Sequence, residues 1–535
     1  MKRMNHLLEL AALLGGALLT GLTLIFPVIG FLQWVSMIPM IWAAYRLGAD
    51  PTVKLRHAYG YGFLTVFAYY FVLYHWFVSL YPLDFAGLDN AASLVVVLAG
   101  WIGLSLLQAI VGGLIFLAFR ALHKTDVMEK MPLLRPFVFA ALWVVFEWTS
   151  TLSWTGVPWG RLALGQIDYL PMLQSASLFG SYFVSFLILS VNGLLAYMLY
   201  RRARSWLCIG LAAGILVGNL SFGLIARAVQ KDPESPVTVA VIQGNISSKE
   251  KWGVNTLAGI QSTYAALTRE AAEKGAELAL WPETVLPYSV NERSSVKRFL
   301  SDLAKECEIT LAVGAFYTAE DGAEYNALYF VDPDGTFREE FYAKRHLVPF
   351  GEYVPMKKII ETVIPPLSEL VNLGGSLTAG EGSAIMESEV GRLGSLICFD
   401  SIYEQLALES TRDGAELFLV STNDSWFFDS AGVYQHQSQS QLRAIECGRY
   451  FVRSANTGIS TVISPDGELL AWIDPLERGY AVAEVEPTDT RTLYSVIGNT
   501  FVYLCIAGVA ALAGVGIWRK YKKRENQTDD PLIQY

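Results

Sequence analysis

Three ionisable residues of different types lie near the ends of short apolar runs in the second half of the sequence. Glu283 comes just after the run ELAL, Lys344 lies in YAKRHLVPFGE, and Cys398 follows the run GSLI. Open α/β sheets place their functional side chains where strands end. A carboxylate base, a cation and a thiol brought together there would form an activated nucleophile with electrostatic support for an oxyanion.

Each of these residues also has an ordinary explanation when it is taken alone. A cysteine on an apolar strand is often an inert core residue, a lysine in a basic run is usually solvated, and a glutamate after proline is a common turn residue. Phe399, Asp400 and a predicted helix follow Cys398. We therefore expect its sulfur at a strand-to-helix turn, where backbone N–H groups favour a thiolate and an oxyanion.

The elements that would position these residues form an α/β pattern from Val237 onward. Continuous apolar runs of four to eight residues predict strands in sheets that are covered on both faces. Helices are predicted at about 255–274, 294–306, 402–412 and 434–450, and the Asp-Gly pairs at 334–335 and 466–467 predict hairpins. The predicted strands are VTVAVIQGN, ELALWPETV, ITLAVGAF, ALYFVDPDG, GRLGSLICFD, ELFLVSTND, STVISPDGELLAWI and YAVAEVEP.

The composition of the 535 residues excludes a purely soluble, highly solvated protein. Hydrophobic residues make up 53% and charged residues only 17%, where a soluble domain carries roughly 25% charge. The net charge is +6 over residues 1–227, −18 over 228–497 and +2 over 498–535. This distribution predicts a membrane domain, a water-exposed domain and a final membrane segment over those three ranges. An acidic domain repels phosphate, so we expect no nucleic-acid partner.

The apolar runs are long enough for eight membrane-spanning helices, since each needs about 20 apolar residues. The run 7–45 contains two spans that turn near Pro27 and Gly30. The other predicted spans are 59–80, 91–119, 136–152, 173–200, 206–225 and 500–518.

Basic residues are concentrated in every second connecting loop, as expected if those loops are the short cytoplasmic ones, which collect Lys and Arg. The intervening short loops near 25–30, 81–90 and 154–171 hold one basic residue, Arg161. Both termini are therefore predicted to be cytoplasmic, with domain 228–497 on the outer side. The basic residues of the cytoplasmic side are Lys2, Arg3, Arg46, Lys54, Arg56, Arg120, Lys124, Lys130, Arg201, Arg202, Arg204, Arg519, Lys520, Lys522, Lys523 and Arg524.

Two further features leave alternatives open. Glu147 interrupts the fifth span, which marks either a functional acid or an interfacial acid bonded to Trp148 or the following Thr and Ser. The five cysteines form no metal-ligand pattern, and the odd number in the acidic domain leaves at least one free thiol, with pairing of Cys307 and Cys447 left open.

The residues at the three strand exits resemble the nitrilase, or carbon–nitrogen hydrolase, superfamily, which uses a Glu-Lys-Cys triad on an αββα sandwich. The resemblance runs from Val239 to about Glu486. Eight spans with this domain inserted before the last one are similar to the apolipoprotein N-acyltransferase family. The stretches that carry the resemblance are WPET, KRHLVPFGEYVP, the Cys398 turn, IQGN at 242–245, GVPW at 156–159 and NTG at 456–458.

The resemblance implies a role for each site residue. Glu283 would be the general base, and Lys344 with the backbone N–H after Cys398 would stabilise the oxyanion. Glu352 would be the second glutamate of the superfamily. Where the family often has an aromatic residue followed by Glu, this chain has Phe399 and Asp400, which leaves the role of Asp400 open.

The resemblance also implies a reaction and its partners. An acyl chain would move from a membrane phospholipid to Cys398 as a thioester, and then to the N-terminal amine of a diacylglyceryl-cysteine lipoprotein. Trp252, the stretch 359–373, and Trp426, Phe427 and Phe428 would line an acyl groove, or belong to a core. Gly374, Gly375 and Gly380 would form a lid, or a turn. We expect no metal or organic cofactor, a monomer, and a location in the bacterial inner membrane.

Three other functions compete with acyl transfer. A membrane-tethered amidase or nitrilase would share the triad and release the acyl group to water. A transporter or receptor with an inactive outer domain would require paired ionisable residues in the spans, where Glu147 is nearly alone. A His-Cys protease would need a catalytic histidine, but His346 lies in a basic run and His436 in a Gln/Ser-rich helix, both typical of structural residues.

Overall fold

The computed structural model describes residues 2–83, 88–230, 233–247, 251, 256–357, 362 and 377–528. The chain divides into two compact units, one of Met1–His75, Gly100–Ala228 and Ile497–Tyr535, the other of Trp76–Ala99 and Val229–Val496. Of the predicted groove and lid, Trp252, Gly374 and Gly375 lie outside the described residues, as does all of 359–373 except Thr362.

Long apolar helices form the first unit, as the sequence predicts. Eight segments among the described residues are long and apolar enough to cross a membrane: His6–Ile25, Pro27–Ala49, Leu55–Leu80, Asn90–His123, Pro132–Thr149, Ser181–Arg201, Trp206–Ala228 and Thr500–Lys522. The helices up to the inserted domain are α1 (Lys2–Ile25), α2 (Gln33–Ser36), α3 (Ile38–Ala49), α4 (Leu55–Leu73), α5 (Asn90–His123), α6 (Asp126–Lys130), α7 (Arg135–Thr149), α8 (Leu170–Leu173), α9 (Ala176–Phe179), α10 (Ser181–Arg201) and α11 (Trp206–Ala228).

Small residues let the first-unit helices approach closely, as in other membrane bundles. A Cβ on Gly62 of α4 would lie 2.7 Å from the ring of Phe116, and one on Gly112 would lie 2.6 Å from a methyl group of Val66. A larger side chain at either position would therefore force α4 and α5 apart.

Glu147 is buried in α7 and is bonded within the first unit. Its carboxylate accepts hydrogen bonds from Trp143 Nε1 at 3.2 Å and from the backbone N–H of Leu162 at 3.0 Å. Glu147 is thus hydrogen-bonded, but its tryptophan partner is Trp143, one turn earlier on the same face of the helix, instead of the Trp148 that the sequence suggested.

Two β-sheets form the centre of the second unit. One has the strand order β13-β1-β2-β4-β5-β6 with β3 paired to β4, and the other has the order β12-β11-β10-β9-β8-β7. The strands are β1 (Val237–Gln243), β2 (Leu278–Leu280), β3 (Leu286–Ser289), β4 (Thr310–Thr318), β5 (Glu324–Val331), β6 (Phe337–Ala343), β7 (Met386–Ser388), β8 (Gly391–Ile397), β9 (Leu417–Thr422), β10 (Tyr450–Ala455), β11 (Ser460–Ile463), β12 (Leu469–Ile473) and β13 (Gly479–Val485).

Central strands of both sheets have apolar residues on both faces, because one face packs against the other sheet and the opposite face packs against helices. Val239 and Val241 of β1 belong to the core between the sheets, together with Leu417 and Leu419 of β9. The alternate residue Ile242 packs toward the helices on the outer face. The helices from the inserted domain onward are α12 (Leu257–Glu273), α13 (Ser294–Cys307), α14 (Glu404–Arg412), α15 (Ala431–Cys447), α16 (Leu493–Ile497) and α17 (Thr500–Thr528).

The predicted fold class, an α-helical membrane domain with eight spans plus an αββα sandwich, is confirmed. Helices α12 and α13 contact the first sheet, and α14 and α15 contact the second. Both predicted Asp-Gly hairpins are present, since β5 pairs antiparallel with β6 and β11 with β12. Gly335 and Gly467 have φ of 86° and 88°, which an L residue rarely adopts.

Candidate active site

Strand direction brings the three predicted site residues to one edge of the sandwich. In the first sheet, β2 runs parallel to β4, and β4, β5 and β6 alternate in direction, so β2 and β6 point the same way. Glu283 lies three residues beyond β2 and Lys344 directly follows β6. In the second sheet Cys398 directly follows β8.

Gly314 of β4 allows the Glu283 turn to lie close to the sheet. A Cβ at this position would lie 2.8 Å from Cα of Glu283 and closer still to the carbonyl oxygen of Pro282. Glycine is therefore required there for the backbone to approach, and a larger residue would displace Glu283.

Lys344 lies between two carboxylates in a buried site. Its Nζ is 2.9 Å from Oε1 of Glu283 and 2.8 Å from Oε1 of Glu352, and the lysine side chain is only 1% exposed. Burial alone would raise the pKa of Glu283, but the charge and hydrogen bond of Lys344 lower it below its ordinary value. Burial opposes the charge on Lys344 as well, yet the two carboxylates raise its pKa well above the ordinary value. The site therefore holds an ionised Glu283 beside a charged ammonium.

The pKa of Glu352 shifts in the opposite direction from that of Glu283. Burial raises it, Lys344 lowers it, the nearby charge of Glu283 raises it, and the net change is upward. Its second oxygen, Oε2, accepts a hydrogen bond of 2.8 Å from the backbone N–H of Val348. Glu352 thus holds the ammonium as its second carboxylate partner, while Glu283 remains the stronger anion.

Two asparagines complete the surroundings of Glu283, and sequence analysis missed both. Asn326 of β5 donates from Nδ2 to Glu283 Oε1 at 2.7 Å, and the backbone N–H of Asn423 donates to Oε2 at 3.0 Å. Asn326 interrupts an apolar strand and Asn423 directly follows β9. The rule that polar residues at strand ends mark a site would have identified Asn423.

Cys398 has a strained backbone and a thiol that is protonated at rest. Its φ is 50°, in a region that non-glycine residues rarely occupy and that is typical of functional turns. Burial and the charge of Glu283 raise the pKa of the thiol well above its ordinary value, although Lys344 opposes them. Burial and Glu283 therefore oppose the thiolate that the turn was expected to favour. Because Glu283 is ionised, it can accept the thiol proton as nucleophilic attack occurs.

Asp400 is buried and connects the cysteine turn to the lysine loop. Its carboxylate accepts hydrogen bonds from the backbone N–H groups of Ile397 at 3.0 Å and His346 at 2.7 Å, and from the hydroxyl of Tyr342 at 2.9 Å. Phe399, between Cys398 and Asp400, packs edge to face against Tyr403 with ring centroids 5.5 Å apart. Asp400 thus acts on the geometry of the site and does not face the reacting atoms.

A second buried lysine, absent from the sequence prediction, lies on the other side of Glu283. Lys251 donates from Nζ to Oγ1 of Thr284 at 2.7 Å and to the carbonyl oxygen of Glu283 at 3.4 Å. Burial lowers its pKa to about 8, against a smaller opposing effect of Glu283. Thr284 has a φ of 45°, so Lys251 stabilises the turn that presents Glu283.

The three aromatic residues of the predicted acyl groove differ in their surroundings. Trp426 is 44% exposed and Phe428 53% exposed. Phe427 packs edge to face against Trp76, with ring centroids 5.0 Å apart, and against His436. Within this loop, then, Trp426 and Phe428 are available to a ligand, while Phe427 supports the structure beneath.

One group of possible metal ligands occurs among the described residues. Ligand atoms of Cys398, Asp424 and His436 lie within 4.8 Å of one another. Asp424 is already paired with Arg453, whose guanidinium nitrogen lies 2.7 Å from its Oδ2 and 3.1 Å from Nδ1 of His436. A cation would have to displace this guanidinium, so the donor set fits an ion-paired cluster and not a metal ion. All five cysteines are free thiols, so Cys307 and Cys447 do not pair.

Two family models match separate parts of the chain. Residues 238–494 match the carbon–nitrogen hydrolase family, and residues 16–194 match the N-terminal domain of apolipoprotein N-acyltransferase. The NitFhit protein of C. elegans shares 22% identity, covering 49% of this chain and 63% of that chain with a TM-score of 0.40. The carbon–nitrogen hydrolase match thus lies within the second unit.

Full-length relatives define the family more narrowly. An apolipoprotein N-acyltransferase of Geobacter metallireducens is 30% identical over 96% of this chain and 95% of its own length. An apolipoprotein N-acyltransferase of Gloeobacter violaceus is 31% identical over 96% of this chain and 95% of its own length. The chain belongs to the apolipoprotein N-acyltransferase family, which confirms the resemblance drawn from the sequence.

Proposed function

We propose that the protein N-acylates apolipoproteins in the membrane, with Cys398 as the acyl carrier. The observation that carries this proposal is the buried Lys344 ammonium, held by Glu283 and Glu352 next to a thiol on a strained turn. The family supports the reaction class, and this geometry supplies a base, a nucleophile and a cation for its steps.

In the first half-reaction the nucleophile attacks a phospholipid ester. The sulfur of Cys398 bonds to the ester carbonyl carbon while Glu283 takes the thiol proton. Lys344 and the backbone N–H of Phe399 stabilise the negative oxygen of the tetrahedral intermediate. The ester C–O bond then breaks, Glu283 returns the proton to the departing alkoxide, and a thioester and a lysophospholipid result.

In the second half-reaction the lipoprotein amine attacks the thioester. A C–N bond forms and the C–S bond breaks, again through an oxyanion beside Lys344. The amine reacts only in its neutral form, and an α-amino group has an ordinary pKa of about 8. Glu283 takes a proton from the amine and returns it to the sulfur, which regenerates the thiol. Glu283 and Lys344 thus serve both steps.

The orientation proposed for the chain places this site beside its lipid substrates. Domain 228–497 lies on the outer side of the inner membrane, and both termini are cytoplasmic, as the basic loops indicate. A reporter fused after residue 300 should be active only outside, and one fused after residue 524 only inside. Both reporters active on one side would reject this orientation.

The acyl-enzyme provides the direct test of the proposed reaction. We expect the purified chain, incubated in detergent with phosphatidylethanolamine and phosphatidylglycerol, to gain the mass of one fatty acid less one water. Cys398→Ala should abolish this gain, whereas Cys307→Ala, the matched control, should retain it. Acylation of the Cys398→Ala variant would reject the mechanism.

Adding an acceptor then separates transfer from hydrolysis. A synthetic diacylglyceryl-cysteine peptide should remove the acyl group from the enzyme and gain the same mass. Release of free fatty acid at the same rate with and without the peptide would instead identify a membrane-tethered amidase or hydrolase.

A further inference from the structure

A buried cluster of Asp424, His436 and Arg453 lies behind Cys398 and has no part in the steps above. The three residues come from different elements: Asp424 from the loop after β9, His436 from α15 and Arg453 from β10. All three are at most 1% exposed. A fully buried ionic cluster is costly to assemble, so its contact with the nucleophile's backbone is informative.

The cluster holds the imidazole of His436 in one orientation. Nδ1 of His436 lies 2.7 Å from Oδ1 of Asp424. Burial would raise the pKa of Asp424, but His436 and Arg453 lower it well below its ordinary value. A carboxylate and a carbonyl oxygen both only accept hydrogen bonds, so Nδ1 donates to Asp424, and Nε2, on the other side of the ring, holds a carbonyl only as a second donor. The two contacts together therefore use the ring with a proton on each nitrogen.

Nε2 of His436 faces the backbone carbonyl of Cys398. The Nε2 to oxygen distance is 3.3 Å, and the hydroxyl of Ser401 donates to the same oxygen at 2.7 Å. The peptide that joins Cys398 to Phe399 is planar, so fixing its C=O direction also fixes the opposite direction of its N–H. The N–H of Phe399 has no acceptor among the residues that the structure describes.

We propose that His436 is a positioning residue that aims the Phe399 N–H at the oxyanion by holding the Cys398 carbonyl. Asp424 and Arg453 orient the ring, and Ser401 supplies the second bond to the same oxygen. This inference rests on the proposed function, because the oxyanion exists only if Cys398 attacks an acyl carbonyl. It also accounts for the φ of 50° at Cys398, since two donors on one carbonyl stabilise a conformation that the residue would otherwise avoid.

Two amide substitutions separate the two contacts of the ring. In His436→Gln the longer side chain brings its amide nitrogen to the place of Nε2, where it can bond the Cys398 carbonyl. In His436→Asn the shorter side chain reaches only the place of Nδ1, beside Asp424. If the carbonyl contact matters, the Gln variant should acylate within about tenfold of the parent, while the Asn variant should be about 100-fold slower, as for loss of an oxyanion donor.

Alkylation of Cys398 by iodoacetamide distinguishes a misdirected Phe399 N–H from a general loss of structure around the thiol. This reaction consumes the same thiol but forms no oxyanion, so its rate at Cys398 should be the same in the parent and both variants. The parent carries Cys307→Ala, which removes the other partly buried cysteine of the catalytic domain. Ser401→Ala, which leaves the ionic cluster intact, should also slow acylation and spare alkylation, and it provides the test if the Asn variant does not fold.

Each other outcome overturns the inference. Equal acylation rates in the Gln and Asn variants, or acylation and alkylation that fall together, would show that His436 does not act through the carbonyl. If the Asn variant does not fold and Ser401→Ala acylates at the normal rate, the inference is rejected as well. A parent that takes up no acyl group from the two phospholipids would reject the proposed function itself, and this inference with it.

Discussion

Replacing Lys344 with Met should change how acylation depends on pH as well as how fast it is. In the protein the ammonium lies 2.9 Å from Glu283 Oε1 and 2.8 Å from Glu352 Oε1. It keeps Glu283 ionised, and so able to accept the thiol proton, down to pH values below the ordinary range for a carboxyl. The methionine has similar length but no charge, so the two carboxylates then face each other directly.

The size of the effect follows from their separation. Two oxygens bonded to one nitrogen lie roughly 5 Å apart, and at an effective dielectric constant of about 20 their repulsion is about 3 kcal/mol. That repulsion, together with loss of the ammonium that lowers the pKa of Glu283, raises the pKa of this carboxyl group. A base acts only above its pKa, so the acid limb of the rate profile should move to higher pH. Loss of the oxyanion donor lowers the plateau by about 100-fold or more in addition.

The assay is acyl-enzyme formation without acceptor, followed by intact mass between pH 5 and 9. The parent acylation rate should show no fall at low pH from protonation of Glu283 over this range, whereas the Lys344→Met rate should rise with pH within it. Lys357→Met, which alters an exposed lysine of the same loop, is the matched control and should follow the parent. Profiles of identical shape for the parent and Lys344→Met would refute the electrostatic argument, whatever the loss in rate.

Three further variants test other parts of the site. Glu283→Gln should slow both half-reactions by at least about 100-fold by removing the base, and a normal self-acylation rate would contradict its role. The same change removes a charge that raises the pKa of the Cys398 thiol, so the thiol should titrate at lower pH, measured as thiolate absorbance. Tyr342→Phe removes one of the bonds to Asp400 and should cost about 1 kcal/mol, seen as a modestly lower unfolding temperature in detergent. Trp426→Ala should change the preference among phospholipids of different acyl length several-fold and leave alkylation of Cys398 unchanged; unchanged preference would exclude the side chain from the groove.

Much of the fold follows from patterns that are local in the sequence. Spans need only length and apolarity, and the eight segments agree with the predicted ones because few charges interrupt them. The sandwich is predictable because strands covered on both faces carry continuous apolar runs, such as 239–242 in β1 and 417–420 in β9. The rule that functional side chains lie at strand ends also predicts that Glu283, Lys344 and Cys398 are neighbours in space. The structure shows Glu283 and Lys344 in direct contact.

The remaining site residues are not predictable in this way because their roles depend on pairing between distant strands. Asn326 faces Glu283 only because β5 lies two strands from β2. His436 looked structural because the sequence does not show which backbone atom its ring meets. The expectation that the turn favours a thiolate considered the turn geometry without burial and the charge of Glu283, both of which raise the pKa of the thiol.

Asp400 shows how a departure from a family pattern can be accommodated. A carboxylate one methylene shorter than Glu reaches less far from the backbone, and here it turns inward to the N–H of Ile397, which precedes the nucleophile. Its other oxygen meets the N–H of His346, two residues beyond Lys344. The short side chain thereby bonds backbone groups beside the exits of both β8 and β6. Asp400 thus links the Cys398 turn to the Lys344 loop through the backbone, so the shorter carboxylate found here still connects the two segments that carry the proposed thiol and ammonium.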